Sequence, residues 1–268
     1  MIIPFICVNY HSKGETVKYI ENVLSLSSAD KAKVIIVDNS KSEDDFLYLQ
    51  NYIKEKQTAS RVDLIRVEEN KGYFHGLNVG IAHAQQVGVS NSFYVIGNND
   101  ILFKQDFIVK LQSLHLSDDT LVISPDVVTK EDSHENPHVV HKMSAIRKIK
   151  YDVYFSHYII AKLLGKFKST ERRFKELDPN KKFIYMGIGA LYILTPKFFY
   201  YFDSLWDKVF LYGEEAVFAG QIRSVSGKIL YDPSLVCYHN ESATTSQMET
   251  KFKYNVVRTS YKTYRKYL

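Results

Sequence analysis

Cysteine is almost missing from this 268-residue chain, which has two, Cys7 and Cys237. Both fall in strand-like apolar runs, so they read as reduced, buried and inert, and a disulfide scaffold is not expected. No segment comes near the ~20 consecutive apolar residues that a membrane-spanning helix requires. No basic leader precedes the first apolar run, so a secretory signal is not expected and the chain is expected in the cytoplasm. The nucleophile elbow G-x-S-x-G and the phosphate loop G-x-x-x-x-G-K-S/T are absent, which removes the short signatures of serine hydrolases and P-loop nucleotidases. Internal repeats and low-complexity tracts are missing as well.

What is present is a large apolar fraction. Hydrophobic residues make up 45% of the chain, enough to fill the core of one large domain and too much for a disordered one. There are 20 Tyr and 16 Phe beside a single Trp. Tyr joins a flat face to a hydroxyl, which suits sugars and interfaces and equally an ordinary core. The net charge is +5, and it is concentrated. Between Lys142 and Lys182 twelve Lys/Arg stand against four Asp/Glu, and from Gln247 onward six stand against one. Such faces attract an anionic partner (phospholipid, a pyrophosphate-linked acceptor or nucleic acid), or they are simply solvated.

Residues 1–125 alternate short apolar runs with helical stripes, which predicts an α/β fold: a mostly parallel central sheet with helices on both faces. After Pro125 the pattern breaks. Residues 126–182 read as a variable basic insertion that shapes acceptor or membrane binding, with a loop at 129–138 and one helix over Tyr151–Leu164. Strand character returns at 183–194. A helix follows Glu214-Glu215 and stops at Gly227, and two short strands cover Ile229–Tyr231 and Leu235–Tyr238. Residues 247–268 form a basic amphipathic helix. Its stripe of Tyr254, Val257, Tyr261, Tyr264 and Leu268 fits a membrane interface or a docked position on the body.

Chemistry concentrates at the strand ends. Asn98-Asn99-Asp100 follows an apolar strand, where open α/β sheets bind ligands, and its carboxylate suits a hard divalent cation. Asn9-Tyr10 and Asp38-Asn39 end two earlier strands. Asn70-Lys71-Gly72-Tyr73-Phe74-His75-Gly76-Leu77-Asn78 leads into a helix starting at about Gly76, whose N-terminus offers N–H groups to a diphosphate. Its glycine spacing is not the dinucleotide fingerprint. Glu214-Glu215 at a helix start reads as dipole-stabilising charge or as a general base. His239 is a candidate metal ligand, whereas His134, His138 and His141 read as loop polarity.

In their order, these segments resemble the bacterial family 2 glycosyltransferases of GT-A (Rossmann-like) fold, in the version of rhamnosyltransferase-like enzymes of envelope polysaccharide assembly. The motifs are Val8-Asn9-Tyr10-His11-Ser12, Val37-Asp38-Asn39-Ser40, Glu69-Asn70-Lys71-Gly72-Tyr73 and Ile96-Gly97-Asn98-Asn99-Asp100-Ile101. Then come Gly187-Ile188-Gly189-Ala190, Tyr212-Gly213-Glu214-Glu215, and Tyr231-Asp232-Pro233 with His239. The resemblance implies one domain over 1–246, with a nucleotide-binding half (1–125), the insertion (126–182) and an acceptor half (183–246). It implies that Asn9, Tyr10, Asp38, Asn70, Gly72, His75, Asn78, Asn98, Asn99, Gly189, Ala190 and Glu214 line the nucleotide-sugar site. Asp100, with His239 as second ligand, would bind Mg2+ or Mn2+, and Glu215 would be the base. The partners implied are a UDP- or dTDP-sugar donor and a glycan or lipid-linked glycan acceptor at the inner membrane face in capsule or O-antigen synthesis, with no nucleic acid. Two positions depart from the family pattern: Asn98 replaces the first residue of Asp-x-Asp, and Ala216-Val217-Phe218 follows Glu215. The other readings are a sugar nucleotidyltransferase and a non-catalytic glycan- or RNA-binding protein.

Overall fold

The computed structural model describes residues 1–165, 174–240 and 250–268. Strand β1 (Ile3–Asn9) is buried along its whole length, as an apolar strand covered on both faces must be. It lies parallel to β2 (Ala32–Asp38) and β4 (Tyr94–Asn98), and β3 (Val62–Arg66) extends the sheet beyond β2. Side-chain alternation along these strands separates two cores. Phe5, Cys7, Val34 and Ile36 pack with α1 (Lys13–Ser25), α2 (Glu43–Glu55) and α4 (Phe107–Gln112). Ile6, Val8, Ile35 and Ile96 join the core that holds α3 (Tyr73–Gln86) and α8 (Glu214–Ser224).

The sheet then changes direction. β8 (Leu191–Leu194) runs antiparallel to β4 and to β6 (Thr120–Thr129). β6 runs parallel to β9 (Lys228–His239), and both β5 (Ile101–Phe103) and β7 (Lys182–Ile184) pair antiparallel with β9. Among the described residues, nine strands form one sheet of order β3-β2-β1-β4-β8-β6-β9-β5, with β7 beside β9. The parallel expectation describes β3-β2-β1-β4 and β6-β9. Direction is lost at β8 because an irregular segment, not a crossover helix, feeds it. The two short strands expected at 229–238 are one strand. Its pairing to β6 shifts between Pro125 and Asp126, which face Asp232 and Val236, and Asp232 Oδ1 accepts the N–H and hydroxyl of Ser234 in the bulge.

The helix expected over Tyr151–Leu164 is two helices, α5 (Ala145–Ser156) and α6 (Tyr158–Gly165), divided at extended His157. Arg258, far along the chain, stops α5 by donating to the carbonyls of Phe155 (2.8 Å) and Ser156 (2.7 Å). Arg258 belongs to α9 (Thr250–Tyr264), the basic tail helix. Its Tyr254, Tyr261 and Tyr264, with Leu268 beyond it, are buried in the main core. The docked alternative therefore holds, and the apolar stripe is not available to a membrane. The short helix α7 (Phe198–Tyr201) adds Phe198 to that core.

Candidate active site

The first strand ends build a polar bracket. Parallel register sets Asn9 beside Asp38, and the Asn9 amide donates to Asp38 Oδ1 at 2.8 Å. The same oxygen accepts the Ser40 hydroxyl at 2.6 Å and the Ser40 N–H at 3.2 Å. Thr16 in turn donates to Asn9 Oδ1 at 2.9 Å. Asp38 Oδ2 is buried without a donor. A buried acceptor left unpaired is costly, so it marks a place where a ligand N–H would be welcome. Tyr10 lies exposed at the mouth, edge-on to His11.

The glycine segment is arranged differently from expectation. Asn70 Oδ1 accepts the Gly72 N–H at 2.9 Å, and Gly72 takes φ +112° with its backbone against Phe210, a conformation that favours glycine. Helix α3 starts at Tyr73, one turn before Gly76, and the Tyr73 N–H already meets the Phe210 carbonyl. Both ends of the Asn78 amide engage the Leu205 backbone, at 2.9 and 2.8 Å. His75 pairs with Asp207 at 3.1 Å. These two residues fasten α3 to the segment at 205–207, a contact between distant parts of the chain that local pattern does not reveal.

Asp100 occupies the turn between β4 and β5. Pairing of β5 with β9 sets Ile101 opposite His239, which brings Asp100 Oδ1 within 3.4 Å of His239 Nε2. Asn98 reaches the same ring nitrogen at 3.4 Å. Asn99 turns away and donates to Ser12 Oγ and Thr16 Oγ1, each at 2.7 Å, tying this turn to the loop after β1. On its far side His239 Nδ1 meets Glu135 at 2.9 Å. Burial opposes charge on this ring, but the carboxylates of Asp100 and Glu135 outweigh it and push its pKa up to about 9. Two ligands on one octahedral cation, each about 2.1 Å from it, stand about 3.0 Å apart. Asp100 Oδ1 and His239 Nε2, 3.4 Å apart, stand as an ion pair slightly wider than that, and both are groups that a divalent cation accepts as ligands. Among the described residues, no group of three His, Cys, Asp or Glu side chains is arranged to hold a metal alone.

Glu135 was not foreseen. It sits in the polar stretch at 129–138, where three acidic residues and two His looked like a solvated loop. The one available signal was that density of ionisable groups beside the end of β6. In the same stretch His134 pairs with buried Asp126 at 2.8 Å, a structural contact.

Glu214 and Glu215 open α8 after Gly213. Burial raises both carboxyl pKa values. Glu214, also facing Glu215, reaches about 8, while backbone N–H groups of Glu215, Gly189 and Gly213 partly offset the rise at Glu215. Glu215 presses on Gly189, where a side chain would collide with its carboxylate. Ala190 holds the neighbouring strand end by accepting the Asn98 N–H at 2.9 Å. Tyr73 donates to the Gly189 carbonyl at 3.3 Å. Burial raises its pKa first, and the charges of Glu214, Asp100 and Glu215 add to that. Glu135 likewise adds to the rise at Glu215. The charges of the carboxylates at 100, 214 and 215 thus reach Tyr73, and that of Glu135 reaches Glu215, so the four carboxylates share one electrostatic neighbourhood.

Comparison with known proteins bears on the fold and the family. The family model described as glycosyl transferase family 2 matches residues 5–193, more than half of the chain. Among curated proteins none matches at a significant level. Among solved structures, GalNAc-T7 with UDP, GalNAc and Mn2+ superposes with a TM-score of 0.62 at 13% identity, over 90% of this chain and 44% of that one. The mannosyltransferase PcManGT from Pyrobaculum calidifontis, in complex with GDP-Man and Mn2+, gives 0.57 at 14% identity, over 91% and 58%. The chain spans less than two thirds of either protein, and what it shares with them is the GT-A fold. With that fold and the match across β1 to β8, the chain belongs to glycosyl transferase family 2.

Proposed function

We propose that this protein transfers a sugar from a nucleotide-diphospho-sugar to a hydroxyl of a glycan acceptor, with inversion, served by Mg2+ or Mn2+. The observation that carries this reading is the convergence of Asp100, His239 and Glu135 with the Glu214-Glu215 pair in one electrostatic neighbourhood. It is supported by two structures of like fold, each solved with Mn2+ and a nucleotide or nucleotide sugar.

The residues divide the work. Asp38, held by Asn9 and Ser40, offers its unpaired oxygen to a ring N–H of the base, which favours UDP or dTDP. Asp100 and His239 would hold the cation, which when bound offsets the charge of the departing diphosphate. Glu135 fixes the His239 ring by engaging Nδ1, so that Nε2 faces Asp100. Glu215 removes the proton of the acceptor hydroxyl as that oxygen bonds to the anomeric carbon. The bond from that carbon to the diphosphate breaks on the opposite face, which inverts the centre. A carboxylate made more basic by burial suits this task near neutral pH.

The rhamnosyltransferase-like motif pattern makes dTDP-sugars the first donors to test, beside UDP-sugars. The acceptor we propose is a growing lipid-linked glycan of a bacterial capsule or O-antigen, met at the inner membrane face. Glu215→Gln preserves shape and removes the base, so transfer should fall about 10²- to 10⁴-fold while calorimetry still detects UDP or dTDP binding. Undiminished transfer overturns the assignment of the base. Release of pyrophosphate instead of a nucleoside diphosphate would make the protein a nucleotidyltransferase.

A further inference from the structure

Helices α5 and α6 present two unlike faces. Their aromatic side is turned inward: Phe155 stacks on Tyr261 at 4.5 Å and on Tyr254 at 6.1 Å, and Tyr158 meets Tyr254 at 5.2 Å. Their aliphatic side is turned outward. Ile146, Ile149 and Val153 recur at the three- and four-residue spacing of one helical stripe, and Ile146 and Ile149 are 70% and 60% exposed. On α6, Ile159 and Leu163 repeat the spacing at 60% and 54% exposure. A soluble surface rarely carries so many large aliphatic side chains together; contiguous patches of this kind mark a contact with another phase or partner. Basic residues flank both stripes. Arg147, Lys150 and Lys162 are exposed, and none has an acidic partner among the described residues. The one acidic side chain of these two helices, Asp152, is engaged by Arg265 and Tyr261 on the inner side.

We infer that the outer face of α5 and α6 docks on an anionic lipid bilayer, with Ile146, Ile149, Val153, Ile159 and Leu163 entering the headgroup boundary and Arg147, Lys150 and Lys162 meeting lipid phosphates. Charge complementarity selects this occupant. An aliphatic stripe bordered only by cations suits an interfacial helix on a negatively charged surface, whereas a second copy of the chain would bring the same unpaired cations face to face. The inference deepens the proposed reading, in which the acceptor is lipid-linked. These helices rest on α9, and α9 rests on the N-terminus of α8 through Tyr264 against Gly213. The docked face is therefore joined through α9 to the head of α8, the helix that carries Glu215.

Sedimentation with phosphatidylcholine vesicles, with and without phosphatidylglycerol, tests the surface on the whole protein. The wild type should bind the phosphatidylglycerol vesicles. The triple variant Ile146→Ser, Ile149→Ser, Val153→Ser should bind about tenfold or more weakly, with its circular dichroism and its donor hydrolysis unchanged. Failure of the wild type to bind these vesicles overturns the inference, as does a triple variant that binds like the wild type. A wild-type dimer that the triple variant abolishes, without vesicle binding, also overturns it and assigns the face to self-association. Donor hydrolysis separates the two readings: vesicle binding without hydrolysis sinks the enzyme and keeps the surface, and the reverse does the opposite.

Discussion

Glu214 is buried with one carboxyl oxygen unpaired, and burial followed by the charge of Glu215 raises its pKa to about 8. The unfolded chain ionises this group near pH 4.5, so between there and pH 8 the folded state binds the extra proton. Stability must then fall as pH rises through that window, because the unfolded state gains by ionising while the folded state cannot. Glu214→Gln imitates the protonated form. It should flatten the decline, and thermal melts from pH 5 to pH 8 should show the variant overtaking the wild type toward the upper end. A variant that melts in parallel with the wild type would show that Glu214 is ionised in the fold. Motif reading singles out both glutamates. It did not reveal that Gly189 is what Glu215 leans on, because that contact joins residues on separate elements.

The break between α5 and α6 depends on one side chain from another helix. Arg258 gives two charged hydrogen bonds to the last carbonyls of α5, groups that would otherwise lack intrahelical partners. Arg258→Ala should cost about 1–2 kcal/mol, read as a lower melting temperature and as faster amide exchange at the end of α5. Lys at this position, with a single ammonium in place of the planar fork, should recover only part of it. This distant cap explains why residues 151–164 read as one helix: the side chain that caps α5 lies about a hundred residues further along the chain. Strands β1, β2 and β4 were recognisable because both of their faces are buried and their apolar runs are uninterrupted. The reversal at β8 and the β5–β9 pairing that joins Asp100 to His239 leave no such trace, since pairing partners are chosen by the fold and not by the strand.

Across the whole molecule, the C-terminal segment links the insertion to the active site. Tyr261 and Arg265 engage Asp152 on α5, Ser260 donates to the Leu211 carbonyl at 2.6 Å, and Tyr264 lies on Gly213 at the head of α8. A chain ending at residue 249 would uncover this part of the core. It should melt at lower temperature and lose donor hydrolysis, although it would retain every residue assigned to the chemistry. Full hydrolysis by the shortened chain would show that α8 is held without α9. The two cysteines have a practical consequence at the same scale. Cys7 on β1 and Cys237 on β9 are both fully buried, and burial raises both thiol pKa values far above the usual range. Maleimide dyes need thiolate at the surface, so the native protein offers them no target. A single cysteine introduced on the outer face of α5 becomes the sole label, and its fluorescence can follow that helix into a bilayer without any prior removal of native thiols.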